Sequence, residues 1–281
     1  MCGISEPMAS VARSACLKAT EKIVTAYKPF LRARVIGDLH RKSKNGIVKP
    51  CVLDIKDRHD VDVNIIVGDL GNTHRADSMT YIRDLIDRDG KPVIFVPGNH
   101  DYYSSTFSKQ DIDDLYIEQE YGSNGLFHYL NRHYVDLYGY RFIGATGWSC
   151  KPSETNVNWD CRKTMVDKKS NVYRDYTTYR KDTAKRGLRD TDIRMYNSMD
   201  FEFFEKAIQH RKPRNVMITH YPPSVDDKRD SPYSCGFDIL MRRHSSAIPI
   251  WMAGHSHRFS DKLVNNVRTV NPGGGSYVVV F

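Results

Sequence analysis

Asn64-Ile65-Ile66-Val67-Gly68-Asp69 decides how this chain is read: an apolar run, then a glycine, then a carboxylate. A short apolar run closed by glycine reads as a strand buried on both faces. Working outward, an apolar run that ends at a polar block recurs four times, three of them with a glycine at the junction. Val35-Ile36 precedes Gly37-Asp38-Leu39-His40, and Val93-Ile94-Phe95-Val96 precedes Gly98-Asn99-His100-Asp101. Val216-Met217-Ile218 precedes Thr219-His220, and Ile248-Pro249-Ile250-Trp251-Met252-Ala253 precedes Gly254-His255-Ser256-His257. Polar side chains at the C-terminal ends of strands, beside a glycine that lets the backbone turn, are where open α/β sheets carry chemistry. Two carboxylates, a carboxamide and several imidazoles delivered in this way make a ligand shell for two divalent metals.

The spacing sharpens that reading. Asp38-x-His40 places two side chains on one face of an extended segment, and His255-x-His257 repeats the device. Two-metal hydrolytic sites hold their ions about 3.5–4 Å apart, most simply through a shared carboxylate. Asp69 stands alone in its block and is the natural bridge. The donors are nitrogen and oxygen without thiolate, which suits Mn, Fe, Zn, Co or Ni better than Ca or Mg.

In these residues the chain resembles the calcineurin-like metallophosphoesterase superfamily, whose pattern is D-x-H, G-D, G-N-H-[DE], H and G-H-x-H. Every element is present and in order between Asp38 and His257. The resemblance implies one metal held by Asp38, His40, Asp69 and His257 and a second held by Asp69, Asn99, His220 and His255. It gives His100 the task of contacting the phosphate and helping the leaving oxygen depart, with Asp101 orienting His100. A hydroxide bridging two divalent ions, manganese foremost, would attack phosphorus in line. Gly144-Ala145-Thr146-Gly147-Trp148 resembles a segment many members carry after their central strand, which puts Trp148 at the pocket wall. Tyr102, directly after Asp101, either walls the pocket or packs. The residues support an α/β fold; the resemblance adds two facing β-sheets flanked by helices, a four-layer sandwich.

Composition frames the rest. The chain has 281 residues, 40% of them hydrophobic, and can bury one sizeable core. Mean hydropathy is -0.56, and no apolar run is long enough to cross a membrane. Glu6, Arg13, Lys18, Glu21 and Lys22 interrupt the N-terminus, which reads as no signal peptide. The six cysteines show no C-x-x-C pair, and a reduced, cytoplasmic protein is expected.

The periodicity predicts an N-terminal helical extension over 1–30, with its helix near 9–28, and a catalytic domain over 31–281. Strands are expected near 32–37, 62–67, 92–97, 140–145, 214–219, 248–253 and 276–281. Helices are expected near 78–88, 109–120, 200–210 and 234–243. The first helix would be capped by Asp77 or Ser78 and closed by Gly90. Arg41 to Pro50 reads as an exposed basic loop. An insertion at about 151–200 carries twelve Lys/Arg against eight Asp/Glu, with Trp159, Tyr173, Tyr176, Tyr179 and Tyr196 interleaved. It is either a lid that meets phosphates and bases or a solvated excursion whose tyrosines pack on the core. Asn271-Pro272-Gly273-Gly274-Gly275 is a turn first and a phosphate-adjacent loop second.

Substrate is narrowed by what the chain lacks. Asp69 is followed by Leu70-Gly71-Asn72 where protein Ser/Thr phosphatases carry x-x-D-R-G, and Asn99-His100 is followed by Asp101 and not Glu. The expected partner is a small phosphoester, with a phosphodiesterase acting on nucleotide-like substrates favoured. A net charge of +8 keeps a nuclease open, and a phosphomonoesterase is the third reading. Oligomeric state leaves no trace in the sequence.

Overall fold

Each of the five apolar runs becomes a strand that ends at its polar block. The computed structural model of the chain describes residues 28–40, 60–71, 75–102, 109–149, 179–181, 184–186, 190–210, 214–224 and 233–281. In chain order the first strands are β1 (Arg32–Gly37), β2 (Val63–Ile66), β3 (Val93–Phe95), β4 (Phe127–Tyr129), β5 (His133–Leu137) and β6 (Tyr140–Ala145). Then come β7 (Tyr179–Lys181), β8 (Ala184–Arg186), β9 (Arg214–Thr219), β10 (Ile250–Met252), β11 (Phe259–Val264), β12 (Val267–Pro272) and β13 (Gly275–Val280). The helices are α1 (Arg75–Asp89), α2 (Lys109–Tyr121), α3 (Asp190–Ala207) and α4 (Asp238–His244), with one 3₁₀ turn at His100–Tyr102.

Two mixed sheets form, ordered β13-β1-β2-β3-β4 and β11-β12-β10-β9-β6-β5. β1, β2, β3 and β4 run parallel, as do β6, β9, β10 and β12, while β13, β11 and β5 close edges antiparallel. The parallel strands are buried on both faces, which is why they read as unbroken apolar runs. One face of each sheet meets the other sheet: Ala33, Val35, Val63, Ile65 and Ile94 pack with Phe142, Val216, Ile218, Ile250 and Met252. The opposite faces meet helices. Ile36, Ile66 and Phe95 pack with Tyr81, Ile82 and Leu85 of α1, and Met217 and Trp251 pack with Phe204 of α3 and Leu240 of α4. The result is helices, sheet, sheet, helices.

All five blocks leave strands of this sandwich at one end. Three follow β1, β2 and β3 of the first sheet; two follow β9 and β10 of the second. The ligands therefore converge across the seam between the sheets.

Several expectations need adjustment. α1 starts at Arg75, ahead of the predicted cap residues; Gly90 does close it, with φ +60° and its N–H donating to Ile86 O at 2.7 Å. α3 begins at Asp190, ten residues before the helix expected at 200, and the β7–β8 hairpin stands where no strand was expected. Tyr196 lies buried on α3. β4, β5, β11 and β12 were also unexpected. The predicted helix at 9–28, the basic loop at 41–50, and residues 151–178 of the insertion lie outside the described residues, save Lys28.

Candidate dinuclear metal centre

Two groups of side chains come together at the seam. Asp38, His40, Asp69 and His257 offer ligand atoms all within 4.8 Å of one another, and so do Asp69, His220 and His255. Asp69 belongs to both. Asn99 joins the second group, its Oδ1 standing 3.0 Å from His220 Nε2. His40 Nε2 and His257 Nε2 are 3.0 Å apart, and His255 Nδ1 and His220 Nε2 are 3.2 Å apart. Adjacent ligands on a cation with bonds of about 2.0–2.1 Å stand at about this separation.

One tautomer is dictated by its partner. His220 Nδ1 lies 2.8 Å from the Val67 carbonyl, which can only accept, so Nδ1 carries the proton and Nε2 faces Asp69 Oδ1 at 3.3 Å. Metal-ligating histidines are commonly oriented this way.

Backbone strain marks the same residues. Asp38, His40, Asp69, His255 and His257 all adopt positive φ, between 43° and 67°. Side-chain-bearing residues held there cost about 1–3 kcal/mol each and persist only where surroundings over-determine them. The alternation argument for Asp38 and His40 therefore fails in detail: both lie beyond β1 in left-handed backbone, and it is this turn that aims them together. Glycine is required where the loops touch. A Cβ on Gly98 would sit 2.2 Å from Asp69 Oδ1, and one on Gly68, at φ +89°, would sit 2.5 Å from His220 Nδ1.

The electrostatics are those of a cation site. Asp69 is fully buried, yet the charges of His220, His100 and His40 and a hydrogen bond with His220 hold its carboxyl well below the usual range. Burial alone would depress His220, but Asp69 and Asp38 raise it to about 9. Burial pushes Asp38 upward, and its Oδ2 is buried with no hydrogen-bond partner while Oδ1 accepts from His255 N at 2.9 Å. An orphaned buried carboxylate oxygen, on a residue whose other oxygen stands 3.5 Å from His257 Nε2, is costly unless a cation satisfies it. The residues present fit divalent metal.

The sequence profile described as calcineurin-like phosphoesterase matches residues 31–259. The chain belongs to this family. Among curated proteins it is similar to an uncharacterized protein of Acanthamoeba polyphaga mimivirus, 22% identical over 258 residues, covering 83% of this chain and 87% of that protein. Among solved structures it resembles the phosphopantetheinyl hydrolase of Mycobacterium tuberculosis, with TM-score 0.57 and 17% identity over 85% of this chain and 87% of that one. It also resembles a putative 5'-nucleotidase of Staphylococcus aureus, with TM-score 0.51 and 14% identity over 89% of this chain and 50% of that one. At these identities the likenesses speak for the fold.

Within this phosphoesterase fold, the residues expected around the ligands divide in two. His100 stands at the mouth, 30% exposed, its ring 4.4 Å from that of His40 and its backbone N–H donating to Asp69 Oδ1 at 2.9 Å. Burial pushes its imidazole down to about 4. Asp101, expected to orient His100, takes backbone amides instead: Oδ2 accepts from Gly98 N at 2.7 Å and Asp69 N at 2.9 Å, and Oδ1 from Leu70 N at 3.2 Å and Gly71 N at 3.4 Å. It ties the β2 loop to the β3 loop. Trp148, expected at the pocket wall, and Tyr102, expected to wall the pocket or to pack, are 1% and 3% exposed and lie 5.9 Å apart in a near-parallel stack.

The sequence reading missed three supports. Tyr221, next to a ligand, packs its ring 4.0 Å from His255. Asn271 Nδ2 donates to Gly254 O and to Ser256 Oγ at 3.0 Å, so the Asn271–Gly275 loop fixes the His255–His257 turn. Tyr233 is 40% exposed with its ring 5.9 Å from His255. A tyrosine following a ligand and an asparagine before Pro-Gly-Gly were the signals available.

Proposed function

We propose that the chain hydrolyses phosphodiester bonds of small, nucleotide-like substrates, using two divalent cations with manganese favoured. The observation that carries this reading is Asp69, one carboxylate common to two sets of nitrogen and oxygen ligands. Asp38, His40 and His257 complete one cation's shell; Asn99, His220 and His255 complete the other's. Two bound dications supply charge to stabilise the phosphoryl oxygens and lower the pKa of water to near neutrality.

The chain's own groups do the rest. Asn99 and His100 flank the place where a phosphoryl oxygen comes to rest. An arriving phosphodiester brings negative charge beside His100, which favours the protonated form that departure of the leaving oxygen needs. Its half-buried ring, at the mouth of the site, then donates a proton to the departing oxygen. Val67 O keeps the His220 tautomer fixed throughout, and Asp101 holds the two ligand loops in register.

A small, nucleotide-like diester is the substrate favoured here, with DNA kept as its competitor in the test. The 1–30 segment is read as an extension, and the insertion from about 151 up to α3 as a selectivity-shaping lid, on one catalytic domain in a reduced cytoplasmic protein. The test compares bis-p-nitrophenyl phosphate with p-nitrophenyl phosphate and with single- and double-stranded DNA, all with manganese at low ionic strength. The diester should be turned over fastest. Preferential release from the monoester, or DNA cleavage with salt-sensitive binding, would replace the reading by one of its competitors.

A further inference from the structure

Beside the His255–His257 turn lies a groove of about 200 Å³ that the chemistry above leaves unused. It is continuous with the ligand loops: Pro222 follows His220 by two residues, Ser256 sits between two ligands, and Arg258 follows His257. Its floor holds Trp251, fully buried, and Lys262 of β11 lines it with Asn271 of β12.

The charges are distinctive. Arg258 and Lys262 both line the groove, and no acidic residue does among the described residues. Neither side chain has an ion-pair partner among the described residues. Arg268, on the neighbouring strand, is by contrast held by Asp261 through two hydrogen bonds of 2.9 and 2.7 Å. Strand alternation explains the difference: Asp261 points to the face opposite Lys262. Two cations that no described acidic residue compensates, over an apolar floor with hydroxyl and amide groups beside them, make a receptor for a small anion. The volume suits a phosphate on a short arm better than a whole nucleoside.

We propose that this groove binds a second anionic group of the substrate, of the phosphate class, while the scissile phosphate lies at the ligands. The proposal rests on the phosphodiesterase reading and narrows it to diesters with a second phosphate on the retained side.

The test uses two diesters with the same leaving group, bis-p-nitrophenyl phosphate and p-nitrophenyl 2-phosphoethyl phosphate, on the full chain with manganese. In the double variant Arg258→Ala/Lys262→Ala, kcat/KM for the phosphate-bearing ester should fall by about tenfold or more, the loss expected of a charge-assisted contact. Turnover of bis-p-nitrophenyl phosphate should stay within about twofold. Equal losses on both esters, or none on either, would overturn the proposal. A second measurement does not depend on turnover: methylphosphonate titrated into metal-free protein in chelator, followed by amide NMR. Saturable shifts across residues 256–262, abolished in the double variant, are expected; their absence in the natural chain overturns the groove. If the natural chain cleaves neither ester, the diesterase reading fails, and the groove is judged on this titration alone.

Discussion

Asp69 carries more of the site than any other side chain, because both ligand groups contain it. Asp69→Asn should therefore abolish turnover and lower metal content towards one ion per chain, whereas His257→Ala touches one group only. Two retained ions and a near-normal rate in Asp69→Asn, by metal analysis and assay, would refute the shared ligand. His100 differs in kind, since it belongs to neither group. His100→Ala should keep its metal and lose about 10²–10⁴ in kcat, less for leaving groups of low pKa that need no proton. An equal loss for nitrophenolate and alkoxide leaving groups would assign it to positioning. At this scale the sequence was highly legible. Metal chemistry demands particular side chains at strand ends, and those show as motifs. The loop-tying role of Asp101 was not legible, because its partners are backbone amides, which leave no mark on a sequence. For Trp148 and Tyr102 the sequence alone does not separate pocket wall from core, because an aromatic beside a motif looks the same in either place; both are buried.

Between elements, a buried polar knot ties α1 to the first sheet. Arg34, 2% exposed on β1, donates to Asn64 Oδ1 at 2.8 Å and to Asp89 Oδ2 at 2.5 Å at the end of α1. Burial alone would raise Asp89, but hydrogen bonds from Arg88, Arg34 and Asn64, with the charge of Arg34, hold its carboxyl below the usual range. A depressed carboxylate stabilises the fold fully above its unfolded pKa, about 3.9 for aspartate, and loses that contribution as pH falls through the folded value. Asp89→Asn should cost about 2–3 kcal/mol at pH 7, since it leaves Arg34 buried without its anion. The gap from the natural chain should shrink towards pH 3. Denaturant melts at both pH values check this; a gap that is constant or grows in acid would contradict it.

Legibility was uneven at this scale. β1, β2, β3, β9 and β10 were readable because both faces are buried. β4 has three residues, and β5 and β11 are half-exposed edges with mixed patterns. Their turns were the missed signal: Tyr138-Gly139 and Asn265-Asn266 all have positive φ, as two-residue hairpin turns require. α3 was started late because its buried face includes Asn197 and Asp200, polar residues that break the apolar periodicity. Asp200 is buried to accept from Arg132 at 3.0 Å and from Gly147 N at 2.9 Å, contacts only the fold reveals.

At the scale of the molecule, the site exists only where two sheets meet. The first sheet brings Asp38, His40, Asp69 and Asn99; the second brings His220, His255 and His257. Neither sheet alone completes a shell, so strained ligand turns are held by the packing of both, and a cation that satisfies Asp38 Oδ2 would bind the sheets together at that end. The α/β class was legible from the strand runs, whereas the facing of two sheets entered through resemblance, because periodicity carries no record of which sheet a strand joins. The central claim is a centre for two divalent ions that supports phosphoester hydrolysis. It is tested most directly by metal analysis of protein prepared with excess manganese, paired with bis-p-nitrophenyl phosphate turnover before chelation, in chelator and after manganese is restored. Two ions per chain, with activity lost in chelator and recovered with manganese, is the predicted result. One ion or none per chain, or turnover indifferent to chelator, would contradict it.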